Sequence, residues 1–221
     1  MADLQMLYAN RFSQSDETRK NRIWVEISRY LRKFIQKDAG IVVDVAAGYC
    51  DFINNINVGT HKFALDLNPD VREFAASDVT AIVGDVEESM RNAFKENSVS
   101  LFFMSNFLEH IPKEKISALL ELQYKLLRCG GGVLILTPNI KFVGGKYWDF
   151  FDHITPITES ALIEAAEAAG FKTERVVKKF LPFTTKSRLP QAPWIVRLYL
   201  RLMPLSGMVF GEQSLLLFRK E

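Results

Sequence analysis

The chain has 221 residues, nearly half of them apolar, with 17 phenylalanines and a formal net charge of +2, which is room for one α/β domain (1–221) with a substantial core. Near-neutral charge excludes a general electrostatic case for a nucleic-acid partner, and Cys50 and Cys129, far apart and without metal-ligand spacing, indicate a reduced, cytoplasmic protein with no metal site. The opening MADLQMLYANRF lacks the apolar segment of a signal peptide, and no apolar run is long enough to span a bilayer.

In chain order, residues 1–38 read as a helical cap, with a helix from Thr18 to Gln36 preceded by Tyr8, Arg11 and Phe12. The next segment, IVVDVAAGYCDF, is the most informative. IVVDV (41–45) suits a buried parallel strand, and Ala46, Ala47 and Gly48 let the following backbone approach a ligand. Asp44 near the strand's carboxyl end then faces the crevice where open α/β sheets bind ligands. A dinucleotide fingerprint needs three glycines, but Ala46 and Cys50 stand at the first and third positions and only Gly48 remains.

Further strands are expected over 62–67 (KFALDL), 81–86 (AIVGDV), 99–105 (VSLFFMS), 132–138 (GVLILTP), 171–180 and 213–220. Helices fit between them over 113–128 and 159–169, the latter with Thr158 as N-cap and Gly170 as stop. This alternation argues for a mostly parallel sheet with helices on both faces. Asp66 lies 18 residues past Gly48, where an acid can accept hydrogen bonds from ribose hydroxyls. Asp85 ends the next strand signal, and Ser105, Asn106, Glu109 and His110 follow the fourth.

The strings VVDVAAGYCD, FALDL, VGDVEE, LFFMSNFLEHI and LLRCGGGVLILTPN, in that order, resemble the motifs of the class I S-adenosylmethionine-dependent methyltransferases. The resemblance covers residues 41–138 and continues to GEQSLLLFRKE, which is similar to the superfamily's final antiparallel strand. It implies a seven-stranded Rossmann-like sheet with a reversed last strand and S-adenosyl-L-methionine as cofactor. Cofactor-binding residues would be Asp44, Ala46, Gly48, Asp51, Asp66, Leu67, Asp85, Val86, Ser105 and Asn106, with Arg11 on the methionyl carboxylate. SNFLEH, YWDFFDH, KSRLP and GEQSLLLFRK together look like methyltransferases of bacterial polysaccharide or glycolipid assembly. The implied activity is methylation of a small-molecule or glycan/lipid-linked acceptor, at oxygen.

Such a reaction uses a general base only for a hydroxyl or amine acceptor. His153, beside Asp152 in the aromatic loop, and His110 are the candidate bases, each against a packing or capping role; His61 reads as solvated. Tyr147, Trp148 and Asp152 are candidate acceptor contacts, whereas Phe150 and Phe151 read as core. The insertion 181–211 contains a short helix from Pro193 to the Pro204 stop, with Lys186 and Arg188 upstream. The apolar face over 192–203 suits a lid, a homodimer contact or peripheral contact with the inner membrane surface, and the sequence leaves the three open. The rival function is a methyltransferase-like module that binds S-adenosylmethionine without turnover, suggested by the two missing glycines. A nicotinamide oxidoreductase ranks below it.

Overall fold

The structure, a computed structural model, describes residues 14–183 and 192–221, and for 14–19 the backbone alone. Tyr8, Arg11, Phe12, Lys186 and Arg188 lie outside the described residues or their side chains. The strands are β1 (Ile41–Val45), β2 (His61–Asp66), β3 (Val79–Val83), β4 (Val99–Ser105), β5 (Leu127–Pro138), β6 (Lys172–Val177) and β7 (Gln213–Arg219). Among the described residues they form one seven-stranded sheet in the order β3-β2-β1-β4-β5-β7-β6. The first five run parallel, and β7 inserts antiparallel between β5 and β6. Strand order reverses between β1 and β4, so the loops leaving those two strands diverge and open a crevice at their carboxyl ends.

Successive residues face opposite sides, and both sides are covered. On one, Val42, Ala64, Leu101, Phe103, Leu134, Leu136, Leu215 and Leu217 pack with Ile23, Ile27 and Leu31 of helix α1 (Gln14–Leu31). On the other, Val43, Val45, Leu65, Phe102, Met104, Ile135, Leu216 and Phe218 meet α4 (Lys113–Leu126) and α6 (Glu159–Ala168). Burial on both faces accounts for the continuous apolar runs of β4 and β7. Single turns α2 (Val71–Phe74) and α5 (Ile140–Val143) and helix α3 (Val86–Ala93) complete the connections. Thr158 caps α6, its hydroxyl accepting the Ala161 N–H at 3.2 Å, and Gly170 turns the chain at φ +98°.

Several boundaries differ from the sequence expectation, among them the N-terminal helix, Gln14–Leu31 where 18–36 was expected, and β6, Lys172–Val177 where 171–180 was expected. β5 starts at Leu127, which pairs with Val99, and reaches Gly132 opposite Leu101 through a bulge whose Gly130 and Gly131 hydrogen-bond to Lys220. β3 ends at Val83, since Asp85 caps α3, accepting from the Glu87 and Glu88 N–H groups. The insertion holds two helices, α7 (Pro193–Arg201) and α8 (Leu205–Phe210), where one was expected. Pro204 ends the first and the chain resumes helix at once. α8 lies so close to the irregular segment just after β6 that a Cβ on Gly207 would sit 2.1 Å from the Lys179 carbonyl oxygen.

α7 packs on its own domain. Tyr199 and Leu200 enter the core beside α1, and Tyr199 donates its hydroxyl to the Phe180 carbonyl at 2.6 Å. Arg197 grips Glu26 of α1 with both ends of its fork, at 2.7 and 3.0 Å, and Arg29 adds a bond at 2.6 Å. The opposite edge stays exposed at Trp194, Leu198, Leu202, Leu205, Met208 and Val209. No helix among the described residues is long and apolar enough to cross a membrane.

The Arg197 hydrogen bonds hold the buried Glu26 carboxyl below its ordinary 4.5, outweighing the effect of burial. A depressed carboxyl stabilises the fold above 4.5 and loses that contribution as pH falls through the folded value. Arg197→Ala is therefore expected to lower the thermal midpoint at neutral pH, with the deficit shrinking in acid. A deficit of equal size at both pH values, measured by circular dichroism melts, would count against the ion pair as the α1–α7 clasp.

Candidate functional site

The crevice has two halves. The first is the loop after β1, where Ala46, Gly48 and Cys50 all take left-handed backbone angles, φ +56°, +53° and +57°. Left-handed backbone disfavours side chains, so the loop has kept the shape glycine would give while carrying glycine at only one of the three positions. Asp66, at the end of β2, holds that shape: its Oδ2 accepts the Gly48 N–H at 2.8 Å and its Oδ1 accepts the Asn68 N–H at 2.8 Å. Among the described residues a Cβ built on Gly48 meets nothing within 4 Å, so they leave the outer face of this turn open.

Carboxylates crowd the loop. Asp44 is buried, and burial together with the charges of Asp51 and Asp66 pushes its carboxyl well above the usual range, against a backbone hydrogen bond from Ile53. Burial first, then the same three acids, push the Cys50 thiol up to about 12. Asp51 meets Lys20 of α1 at 3.2 Å, and the same ammonium lies 4.8 Å from the Tyr49 ring centre. Lys20 thus fastens the N-terminal helix over the loop; the sequence offered no sign of it, because a lysine on a charged helix ordinarily faces solvent. Leu67 is exposed beside Asp66, Asp85 is exposed at its cap, and Val86 packs on the second core. Asn106, at φ +50°, donates its N–H to the Leu136 carbonyl and its amide to the Ser105 hydroxyl at 3.1 Å.

The second half joins the turn after β4 to the loop after β5. Backbone N–H groups of Ile154 and Thr155 donate to the Glu109 carbonyl at 2.9 and 3.1 Å, and the Thr155 hydroxyl donates to the Ile111 carbonyl at 2.6 Å. This pinning brings His110 and His153 together, ring centres 4.9 Å apart. His110 Nδ1 lies 3.1 Å from the Asp152 carbonyl and 3.3 Å from its carboxylate. His153, 7% exposed, is stacked on Phe150 and flanked by Tyr147. Glu109 is 1% exposed, its Oε2 accepting from the Thr137 hydroxyl at 3.3 Å, and burial pushes its carboxyl up to about 8. A threonine at the end of the apolar β5 was the one sequence signal for that contact.

Two aromatic expectations are corrected. Tyr147 is fully buried and gives its hydroxyl to the Thr155 carbonyl, so it fastens the loop and offers no face to an acceptor. Phe151, expected in the core, is 84% exposed, because the loop turns outward at that residue. Trp148 stands 55% exposed on the same loop, and His61 is exposed as expected.

No protein-family model matches this chain, and no curated protein does. Solved structures do. A SAM-dependent methyltransferase from Archaeoglobus fulgidus superposes with a TM-score of 0.66 at 16% identity, covering 88% of this chain and 93% of that one. An S-adenosylmethionine-dependent methyltransferase from Mesorhizobium loti gives 0.60 at 15% identity over 87% and 96%. The chain has the class I S-adenosylmethionine-dependent methyltransferase fold. A third similar structure with this fold, a geranyl diphosphate C-methyltransferase from Streptomyces coelicolor A3(2), was solved with Mg2+, geranyl diphosphate and S-adenosyl-L-homocysteine; it gives 0.61 at 12% identity over 88% and 77%.

The buried Cys50 and exposed Cys129 are both free thiols, and burial with neighbouring acids keeps Cys50 protonated. Alkylation of the native protein followed by mass spectrometry should modify Cys129 and spare Cys50, with both labelled in denaturant. Rapid native labelling of Cys50 would mean that the loop after β1 is open.

Proposed function

We propose that this protein transfers a methyl group from S-adenosylmethionine to a hydroxyl of a small or glycan-type acceptor. The observation that carries the reading is the open left-handed turn at Gly48 ringed by Asp44, Asp51 and Asp66. Those acids favour a cationic ligand, and S-adenosylmethionine brings an ammonium and a sulfonium. The same acids would repel a pyrophosphate, which argues against a nicotinamide cofactor. Bound there, the cofactor supplies an activated methyl group. Gly48 would admit it closely, Asp66 would meet the ribose with lone pairs beyond those bracing the loop, and Asp85 would present its carboxylate at the adenine side.

The rival reading, cofactor binding without turnover, drew on the missing glycines. Retention of left-handed geometry at Ala46 and Cys50 weakens that support. On the acceptor side, Trp148 offers an exposed aromatic face suited to a sugar. His153 or His110 would take the acceptor's proton where no metal ion occupies the pair. A glycolipid acceptor is supported by the exposed apolar edge of α7 and α8, within a stretch, 192–211, that carries Arg197 and Arg201 and no acid.

Isothermal titration with S-adenosylmethionine, S-adenosylhomocysteine and NADH tests the cofactor. Saturable binding of the two sulfur ligands alone is expected, and no binding of either would overturn the reading. Asp44→Asn should weaken binding of the sulfur ligands, because a bound ammonium could no longer draw that carboxyl into its charged form. Gly48→Ala should cost the fold only roughly 1–2 kcal/mol of left-handed strain, since the added methyl meets no atom of the described residues, yet weaken binding at least tenfold by standing where the ligand must approach. A Gly48→Ala protein that binds S-adenosylmethionine as well as the wild type would place the cofactor elsewhere.

A further inference from the structure

Glu109 and His110, from the turn after β4, and His153, from the loop after β5, each bring a potential metal-ligating atom to within 4.8 Å of the others. We propose that these three side chains bind one divalent transition-metal ion, of the Zn2+, Mn2+ or Fe2+ kind, at the carboxyl ends of β4 and β5. Metal binding goes beyond the cofactor reading and does not depend on it.

Four features of the cluster support it. First, the His110 ring is held from behind. An N–H at Nδ1 pointing to the Asp152 carbonyl and carboxylate leaves Nε2 as the coordinating atom, and a carboxylate behind a metal-bound histidine is the recurrent supporting contact of such sites. Second, Glu109 is a carboxyl at 1% exposure whose Oε2 is oriented by the Thr137 hydroxyl. Among the described residues no lysine or arginine acts on it, and a dication would offset the cost of burying its charge. Third, the His153 ring is fixed by stacking on Phe150, 5.0 Å between centres at 18°, and by Tyr147 at 4.6 Å. The loop carrying it is hydrogen-bonded to the Glu109 carbonyl, so ligands distant in sequence share one rigid frame.

Fourth, the donors choose the metal. Two imidazoles and one carboxylate suit zinc, manganese or ferrous iron, whereas calcium and magnesium prefer all-oxygen sets. Metal–ligand bonds of about 2.0–2.2 Å put neighbouring donors roughly 3 Å apart, so the cluster must close by less than about 2 Å, within reach of side-chain rotation. Three protein ligands leave positions open for oxygen. A coordinated acceptor hydroxyl would be acidified as metal-bound water is, releasing its proton to solvent and leaving an oxygen ready for methylation. Only that role rests on the methyltransferase reading.

The test is titration of the chelator-treated full chain with Co2+, read by its visible absorption, with Zn2+ in competition. Saturable binding of one equivalent is expected. Glu109→Gln and His153→Asn should each abolish it, Asp152→Asn should weaken it roughly tenfold to hundredfold, and His61→Ala should leave it unchanged. Circular dichroism melts confirm that each variant is folded, and His110→Asn decides should Glu109→Gln fail to fold. Absence of saturable binding of Co2+, Zn2+ and Mn2+ by the wild type, or binding that survives in the folded ligand variants, would overturn the proposal. S-adenosylmethionine titrated into the same samples reads the loop after β1 separately, so failure of either reading is distinguishable from failure of the other.

Discussion

Asp66 ties the loop after β1 to the end of β2, and the shape of the first half of the crevice follows from that tie. Its two carboxylate oxygens accept backbone N–H groups on either side, Gly48 in the neighbouring loop and Asn68 in its own turn. Charged acceptors of this kind are about twice as strong as neutral ones, enough to offset left-handed strain of roughly 1 kcal/mol or more at Ala46 and Cys50. The strain is thereby local, and the open face over Gly48 is its consequence. The cost appears next door, where Asp44 cannot hold its charge comfortably so close to Asp51 and Asp66. A cationic ligand over the loop would relieve that repulsion.

Lys20 relieves part of it already. Its ion pair with Asp51 joins α1 to the loop, and α1 is joined in turn to α7 through Glu26 and Arg197. The apolar insertion is therefore mechanically continuous with the loop after β1 through one helix. Exposed Trp194, Leu198 and Leu202 stand on the far edge of α7, so whatever rests on that edge bears on α1 and through it on Asp51.

The sheet was legible because its strands are buried on both faces and read as apolar runs. Asp44 and Asp66 lie at the carboxyl ends of β1 and β2 as the local pattern indicated, whereas Asp85 lies past the end of β3 and caps the helix that follows. What was not legible depended on contacts between distant segments. Tyr147 and Phe151 belong to one aromatic string, and nothing in the string says that one hydroxyl finds the Thr155 carbonyl while the other ring turns to water. β5 ran longer than its apolar core because Leu127 pairs with Val99 of β4 across a bulge, while Gly132 pairs with β4 and β7 and Gly130 and Gly131 bond to Lys220, a constraint that belongs to the neighbours. α8 was hidden behind Pro204, which ends one helix without forbidding another.

The second half of the crevice shows the same limit in its chemistry. Read along the chain, His110 and His153 are two separate candidate bases, and Glu109 is only the residue before one of them. Folding places all three donors in one cluster with Asp152 behind His110 and Thr137 behind Glu109. Two imidazoles in ring contact are redundant as bases, since one suffices to take one proton. Burying a carboxyl beside them, with a hydroxyl as its hydrogen-bond donor, costs stability that a lone base would not require. The expense is understandable if the three act as a unit on a cation, and then the single proton to be moved is the acceptor's own.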